Sequence, residues 1–156
     1  MKNQAVVVLV FVVAFGVVHP ALACSCSGVG AGSPDYREAL QHADAVFRGT
    51  VLQVQDLRLP TDPPREGAFH PHRIVTFDAD AAWAGPTSRR VFVFTGTGGG
   101  DCGFDFKVGR AYVVWATRSD WQTPGELSTG ICTFTTALDD ASDQLSQLGK
   151  PRKLKQ

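Results

Sequence analysis

Neither sign of charge prevails in this chain: fifteen Lys and Arg face fifteen Asp and Glu across 156 residues. Without a basic excess there is no electrostatic footprint for a nucleic-acid partner. Long apolar runs are scarce as well. The one present, residues 5–18, is shorter than the roughly 20 apolar residues a membrane span needs, so no transmembrane segment is expected. There is no Gly-x-Ser-x-Gly elbow and no cysteine in a nucleophile's setting, which leaves an enzyme reading without a constellation. There is no Cys-x-x-Cys pair, the ligand spacing that a four-thiolate zinc site expects. There is no internal repeat, and the length suits one domain with one modest core.

What is present begins with an export signal. Lys2 precedes the apolar run, and Ala21, Leu22, Ala23 form a small-x-small site ahead of Cys24. Residues 1–23 are thus expected to be removed, leaving 133 of the 156 residues and a secreted chain that starts at Cys24. A lipoprotein anchored through Cys24, or a periplasmic one, is the alternative, but that signal prefers Leu where Ala21 stands. A free α-amino group and a carbonyl on one residue can close a five-membered chelate ring on a metal ion.

Four cysteines, Cys24, Cys26, Cys102 and Cys132, read as two disulfides in an exported chain. Cys24 and Cys26 are too close for an unstrained bond, so each is expected to reach Cys102 or Cys132. Loops of that length stabilise by up to about 4 kcal/mol each in the chain-entropy account.

A glycine-rich link at residues 28–32 leads to Ser33 and Pro34, an N-cap followed by proline, and a short helix over 34–43. Five β-type segments follow at 46–57, 73–83, 90–95, 110–117 and 127–134, with Gly49 as a bulge or barrel bend in the first. Leu138, Ala141, Leu145 and Leu148 share one face of a closing helix that Gly149 and Pro151 stop. The pattern predicts a mainly β fold: a five-stranded Greek-key barrel of OB type with two or three short flanking helices. A β-sandwich is the alternative, though it usually has about seven strands.

Other features have bland readings. Residues 59–72, with Pro60, Pro63, Pro64 and Gly67, read as an exposed loop, and His70 with His72 inside it is a weak metal pair. Gly98, Gly100 and Gly103 spell a dinucleotide motif without the helix it requires. Lys150, Arg152, Lys153 and Lys155 form a basic tail over 150–156, expected to fray. Trp83, Trp115 and Trp121 read as core or rim residues.

Certain residues recur in an informative order: Cys24, Ser25, Cys26, Ser27 at the start, then Ala43, Asp44, Ala45, Val46, Phe47, Arg48, Gly49, then Trp83 with Gly85 and Pro86. Cys102 with Gly103, the stretch 109–116 around Tyr112, and Cys132 with Phe134 follow. In this order the chain from Cys24 to about Leu148 resembles the inhibitory domain of the tissue inhibitors of metalloproteinases, netrin-like modules of OB fold. The resemblance implies disulfides Cys24–Cys102 and Cys26–Cys132 and a monomer that inhibits zinc endopeptidases. The backbone of Cys24 would grip the target's zinc, and Ser25 would enter the pocket beyond it. Cys26, Ser27, Gly100 and Asp101 would line the same contact. The protein would need no cofactor of its own, since the zinc belongs to the protease. A third disulfide and a second domain of that family are missing here. The run Gly98, Gly99, Gly100, Asp101 reads as flexible, with a carboxylate near the amine. Netrin-like modules also occur without inhibitory activity, so a protein-binding module is the rival reading.

Overall fold

The computed structural model describes residues 24, 26, 34–60, 65–98, 100–119 and 125–155. Its strands are β1 (Ala45–Pro60), β2 (Phe69–Ala84), β3 (Arg90–Gly96), β4 (Ala111–Ser119), β5 (Glu126–Ser128), β6 (Thr136–Ala137) and β7 (Arg152–Lys153). Five of them close a ring in the order β1-β2-β3-β5-β4 and back to β1, the expected OB-type barrel. Closure leaves β1 fully paired on both sides near its start, where Phe47 lies between Ala82 and Val114. Alternation along these strands sends Phe47, Val51, Val75, Phe77, Val93 and Val114 into the barrel. Phe77 stacks edge-on with Phe47 at 5.4 Å and with Phe106 at 5.2 Å, filling the centre.

The bulge expected at Gly49 is present as a register shift between Arg48 and Gly49. It lets β1 bend sharply enough to pair with β2 and β4 at once.

A second cluster lies outside the ring. Val46, Val113 and Trp115 face away from the barrel interior and are covered by Ala141, Leu145 and Leu148, with Tyr36, Ala39 and Leu40 beside them. These last residues belong to α1 (Tyr36–His42), and the former to α2 (Ser142–Leu148) with its approach. Leu138, Ala141, Leu145 and Leu148 therefore share one buried face as their spacing predicts, although residues 138–140 form a 3₁₀ turn before the α-helix begins. The cap of α1 is Asp35, which accepts from the N–H groups of Arg37 (2.9 Å) and Glu38 (3.0 Å); Ser33 lies outside the described residues.

Three expectations need correction. The loop read at 59–72 is ribbon at both of its ends: β1 and β2 stay paired to Pro60↔Phe69, beyond the last β3 partner of β2 at His72↔Gly96. Pro71 is tolerated because a two-stranded arm has an outer edge that needs no N–H. The fifth strand, read over 127–134, ends at Ser128, and the chain turns before β6. The basic tail does not fray, since Arg152 and Lys153 pair with Ala82 and Ala81, and Leu154 is buried in the barrel cluster.

Two bidentate ion pairs brace the outside of β2: Arg48 with Asp80 (2.9 and 2.5 Å) and Arg89 with Asp78 (2.8 and 2.6 Å). Hydrogen bonds from Arg48 and Arg89 hold the Asp80 and Asp78 carboxyls below the usual carboxylate range. Folded values below the unfolded ones mean that this contribution is present above about pH 4 and is lost as pH falls through the lowered values. Thermal melts from pH 7 to 2.5 are expected to show a smaller acid loss for the double variant Asp78→Asn/Asp80→Asn than for the parent. Because both pairs are well exposed, Asp80→Asn alone should cost less than about 1 kcal/mol at pH 7.

Candidate functional site

Both disulfides implied at the sequence level are formed. Cys24 is bonded to Cys102, with Cα atoms 5.6 Å apart, and Cys26 to Cys132, with Cα atoms 5.1 Å apart. Residues two apart in the N-terminal strip are thus tied to anchors 30 residues apart in the chain, and those anchors must be neighbours. The Cys102 carbonyl accepts the Ile131 N–H at 2.9 Å, which sets the two anchor loops side by side.

Each anchor is held by its own device. Cys102 has φ +58, a left-handed conformation that costs a non-glycine residue about 1 kcal/mol or more. It persists because its surroundings fix it. A Cβ on Gly103 would collide with the backbone of Gly96, and one on Gly130 would stand 2.5 Å from the Cys102 carbonyl oxygen. Only glycine lets these three segments approach so closely.

Asp101 completes the clamp. Its carboxylate accepts the N–H groups of Thr97 (2.6 Å), Gly98 (2.8 Å) and Gly103 (3.1 Å) and the Thr97 hydroxyl (3.0 Å). Desolvation pushes the Asp101 carboxyl up, but these donors outweigh it and hold it below the usual range. The stretch before Cys102, read from sequence as flexible with a carboxylate near the amine, has its described residues Thr97 and Gly98 bound to that carboxylate. Four donors in reach are a stronger constraint than the glycines are a freedom.

The Cys132 anchor stands on buried hydroxyls that sequence reasoning missed. The Trp115 N–H donates to Thr135 Oγ1 (2.9 Å), the Trp115 carbonyl accepts from Thr129 Oγ1 (2.8 Å), and Thr129, Thr133 and Thr135 touch one another at 2.8 to 3.0 Å. These contacts replace the ladder that β5 abandons after Ser128. Thr129, Thr133 and Thr135 in one short stretch were the available signal. Thr135→Val is expected to leave the buried Trp115 N–H unpaired and to lower stability by about 1–3 kcal/mol, read as a shifted denaturant midpoint at constant slope.

No protein-family model matches the chain, and neither does any curated protein.

Beside Cys102 the arm, the Asp101 loop and the start of the Thr turn enclose an open hollow of about 400 Å³, lined by His70, Pro71, His72, Asp101, Ser128 and Gly130 among others. His70 and His72 stand with ring centroids 6.4 Å apart, and His72 Nδ1 lies 3.2 Å from the His70 carbonyl. Among the described residues no three His, Cys, Asp or Glu side chains converge to hold a metal. Gly100 and Asp101 lie exposed at the rim, and Ile131, 48% exposed, offers apolar surface next to Cys132. Ser25 and Ser27 lie outside the described residues, as do Trp121 and the segment 1–23. No helix among the described residues is long and apolar enough to cross a membrane.

Proposed function

We propose that the chain is a secreted inhibitor of zinc metalloendopeptidases, acting through the α-amino nitrogen and carbonyl oxygen of Cys24 after cleavage behind Ala23. The observation that carries this reading is the double tether: Cys24 and Cys26 are bonded to adjacent, rigid anchors at one end of the barrel. A ligand held in place before binding loses little entropy on association. With its sulfur in a disulfide, Cys24 offers only its backbone for coordination.

The chemistry is that of an occupied catalytic metal. Catalytic zinc keeps a position for the water it activates, and an amine with a neighbouring carbonyl fills that position. An α-amino group titrates near 7.7–8.0, so it loses its proton to a metal at small cost. Ser25 then follows into the pocket beyond the metal, where its small side chain fits without demanding a large cavity.

The test is the exported protein itself. Intact-mass measurement should give a chain beginning at Cys24 with a free amine and four oxidised thiols, and titration against a panel of zinc endopeptidases should show stoichiometric inhibition of at least one. An acyl or diacylglyceryl mass at Cys24, or no inhibition across the panel, would turn the reading to a binding module that uses the same barrel.

A further inference from the structure

We infer that the open edge of β3 is a second docking site, built to take an extended peptide segment of a partner protein that carries an apolar and an acidic residue two positions apart. This site stands on different residues from the Cys24 strip and does not depend on the inhibitor reading.

The edge follows from how the barrel closes. β3 and β5 meet at a single parallel pair, Phe94↔Ser128, where the Phe94 carbonyl accepts the Thr129 N–H at 2.9 Å. Alternate residues of a strand send their N–H and C=O to the same side, so Phe92 presents its backbone groups to this edge, and among the described residues β3 has no further partner there. Before that contact the strands part, leaving a groove of about 670 Å³ between Arg90, Phe92 and Phe94 on one wall and Glu126, Leu127 and Arg118 on the other. The volume is within the range of about 300–1,000 Å³ typical of ligand sites.

Three features define the occupant. Unpaired backbone groups on a sheet edge are completed by another extended strand, which binds through main-chain hydrogen bonds. Phe92 is 53% exposed on the outer face, with Ile74 and Leu127 lining the same groove, so the side chain opposite it is apolar. Arg90, two residues before Phe92 and on the same face, stands opposite Asp78 of β2, but Arg89 already holds that carboxylate by both of its oxygens; two guanidinium groups thus share one carboxylate, and the residue set against Arg90 on the open side is acidic.

The opposite wall asks for a donor. Glu126 Oε2 is buried without a hydrogen-bond partner, a desolvated acceptor that an incoming donor would satisfy. The far edge of an inserted strand presents N–H groups toward it. Arg118 needs nothing from the occupant, because it already donates to the Gly125 carbonyl at 2.7 Å and lies 3.9 Å from Asp44.

The experiment uses the full mature protein, isotope-labelled, with the capped peptide Thr-Val-Thr-Glu-Thr as probe. Amide shifts should move at Phe92, Glu126 and Leu127, and the Phe92 amide should become protected from exchange. The Thr-Val-Thr-Lys-Thr peptide should bind at least about tenfold more weakly, and forms N-methylated at alternate amides should lose binding in one of the two registers. Arg90→Glu should reverse the preference between the two peptides. Phe92→Pro removes the edge N–H, and since proline is tolerated on edges the barrel should still fold, while binding is lost. Equal binding of acidic and basic peptides, insensitivity to N-methylation in both registers, or shifts confined to other strands would overturn the proposal. So would self-association through β3 that excludes the probe, which would make a second copy the occupant.

Discussion

One alanine added ahead of Cys24 is expected to abolish inhibition of a susceptible zinc endopeptidase and to leave the barrel's melting temperature within about two degrees of the parent. The extension turns the α-amine into an amide nitrogen, a poor metal ligand, and inserts atoms where the zinc and its neighbouring carboxylate must fit. Affinity should fall at least about a hundredfold, or about 2.8 kcal/mol. Stability should hold because Cys24 is fixed through its sulfur to Cys102, and its α-nitrogen has no role in the barrel core. Ser25→Arg, by contrast, keeps the chelate and should change which proteases are inhibited. Inhibition by the parent should also weaken by about tenfold per pH unit below about pH 7, as the proton competes with the metal for the amine. If the extended protein inhibits as well as the parent, the chelation mechanism is wrong.

Removing a disulfide should separate folding from presentation. The Cys26–Cys132 bond closes a separation of 106 residues and the Cys24–Cys102 bond one of 78. In the chain-entropy account these two loops differ by only about 0.3 kcal/mol, so the two paired Cys→Ser variants should destabilise by similar amounts, lowering the melting temperature by roughly 10–20 °C. Their effects on inhibition should differ. Without Cys24–Cys102 the chelating residue itself is untethered, and inhibition should disappear. Without Cys26–Cys132 the first residue stays on a clamped anchor, since Asp101, Gly103 and the Ile131 N–H still fix Cys102. Inhibition should then weaken by about tenfold to a hundredfold, at least an order of magnitude less than in the other variant. Equal losses in the two would mean that the strip works as one rigid unit and that Cys24 has no privileged role.

The apolar alternation of the strands and the helical spacing of Leu138, Ala141, Leu145 and Leu148 were legible because each records a face that is buried, and the cluster around Trp115 contains all four. Gly49 was legible for the same reason, as a gap in an otherwise apolar strand. The arm was not legible. Leu57 and Leu59 are only half-buried and the returning strand offers His70, Pro71 and His72, so the alternation is short and weak, and the two prolines imitate a loop. Nor was the end of β5 legible, because Thr129, Thr133 and Thr135 look like good strand residues until their hydroxyls are seen to take over the Trp115 backbone.

Counting cysteines established that two bonds form and that Cys24 and Cys26 do not pair with each other; which partner each takes depends on Cys102 and Ile131 lying side by side across a barrel. Asp101 read as a carboxylate near the amine in a flexible run, and only the fold brought Thr97, Gly98 and Gly103 around it. The same holds for Leu154, a lone apolar residue among lysines, whose N–H reaches the Asp80 carbonyl at 3.0 Å. By itself the sequence determined which faces are buried, that five strands suffice for a mainly β barrel, and where the cysteines can reach, since these depend on residue type and short spacing. The tertiary structure decided which remote polar groups meet, since a donor and an acceptor far apart in the chain leave no periodic trace before the barrel closes.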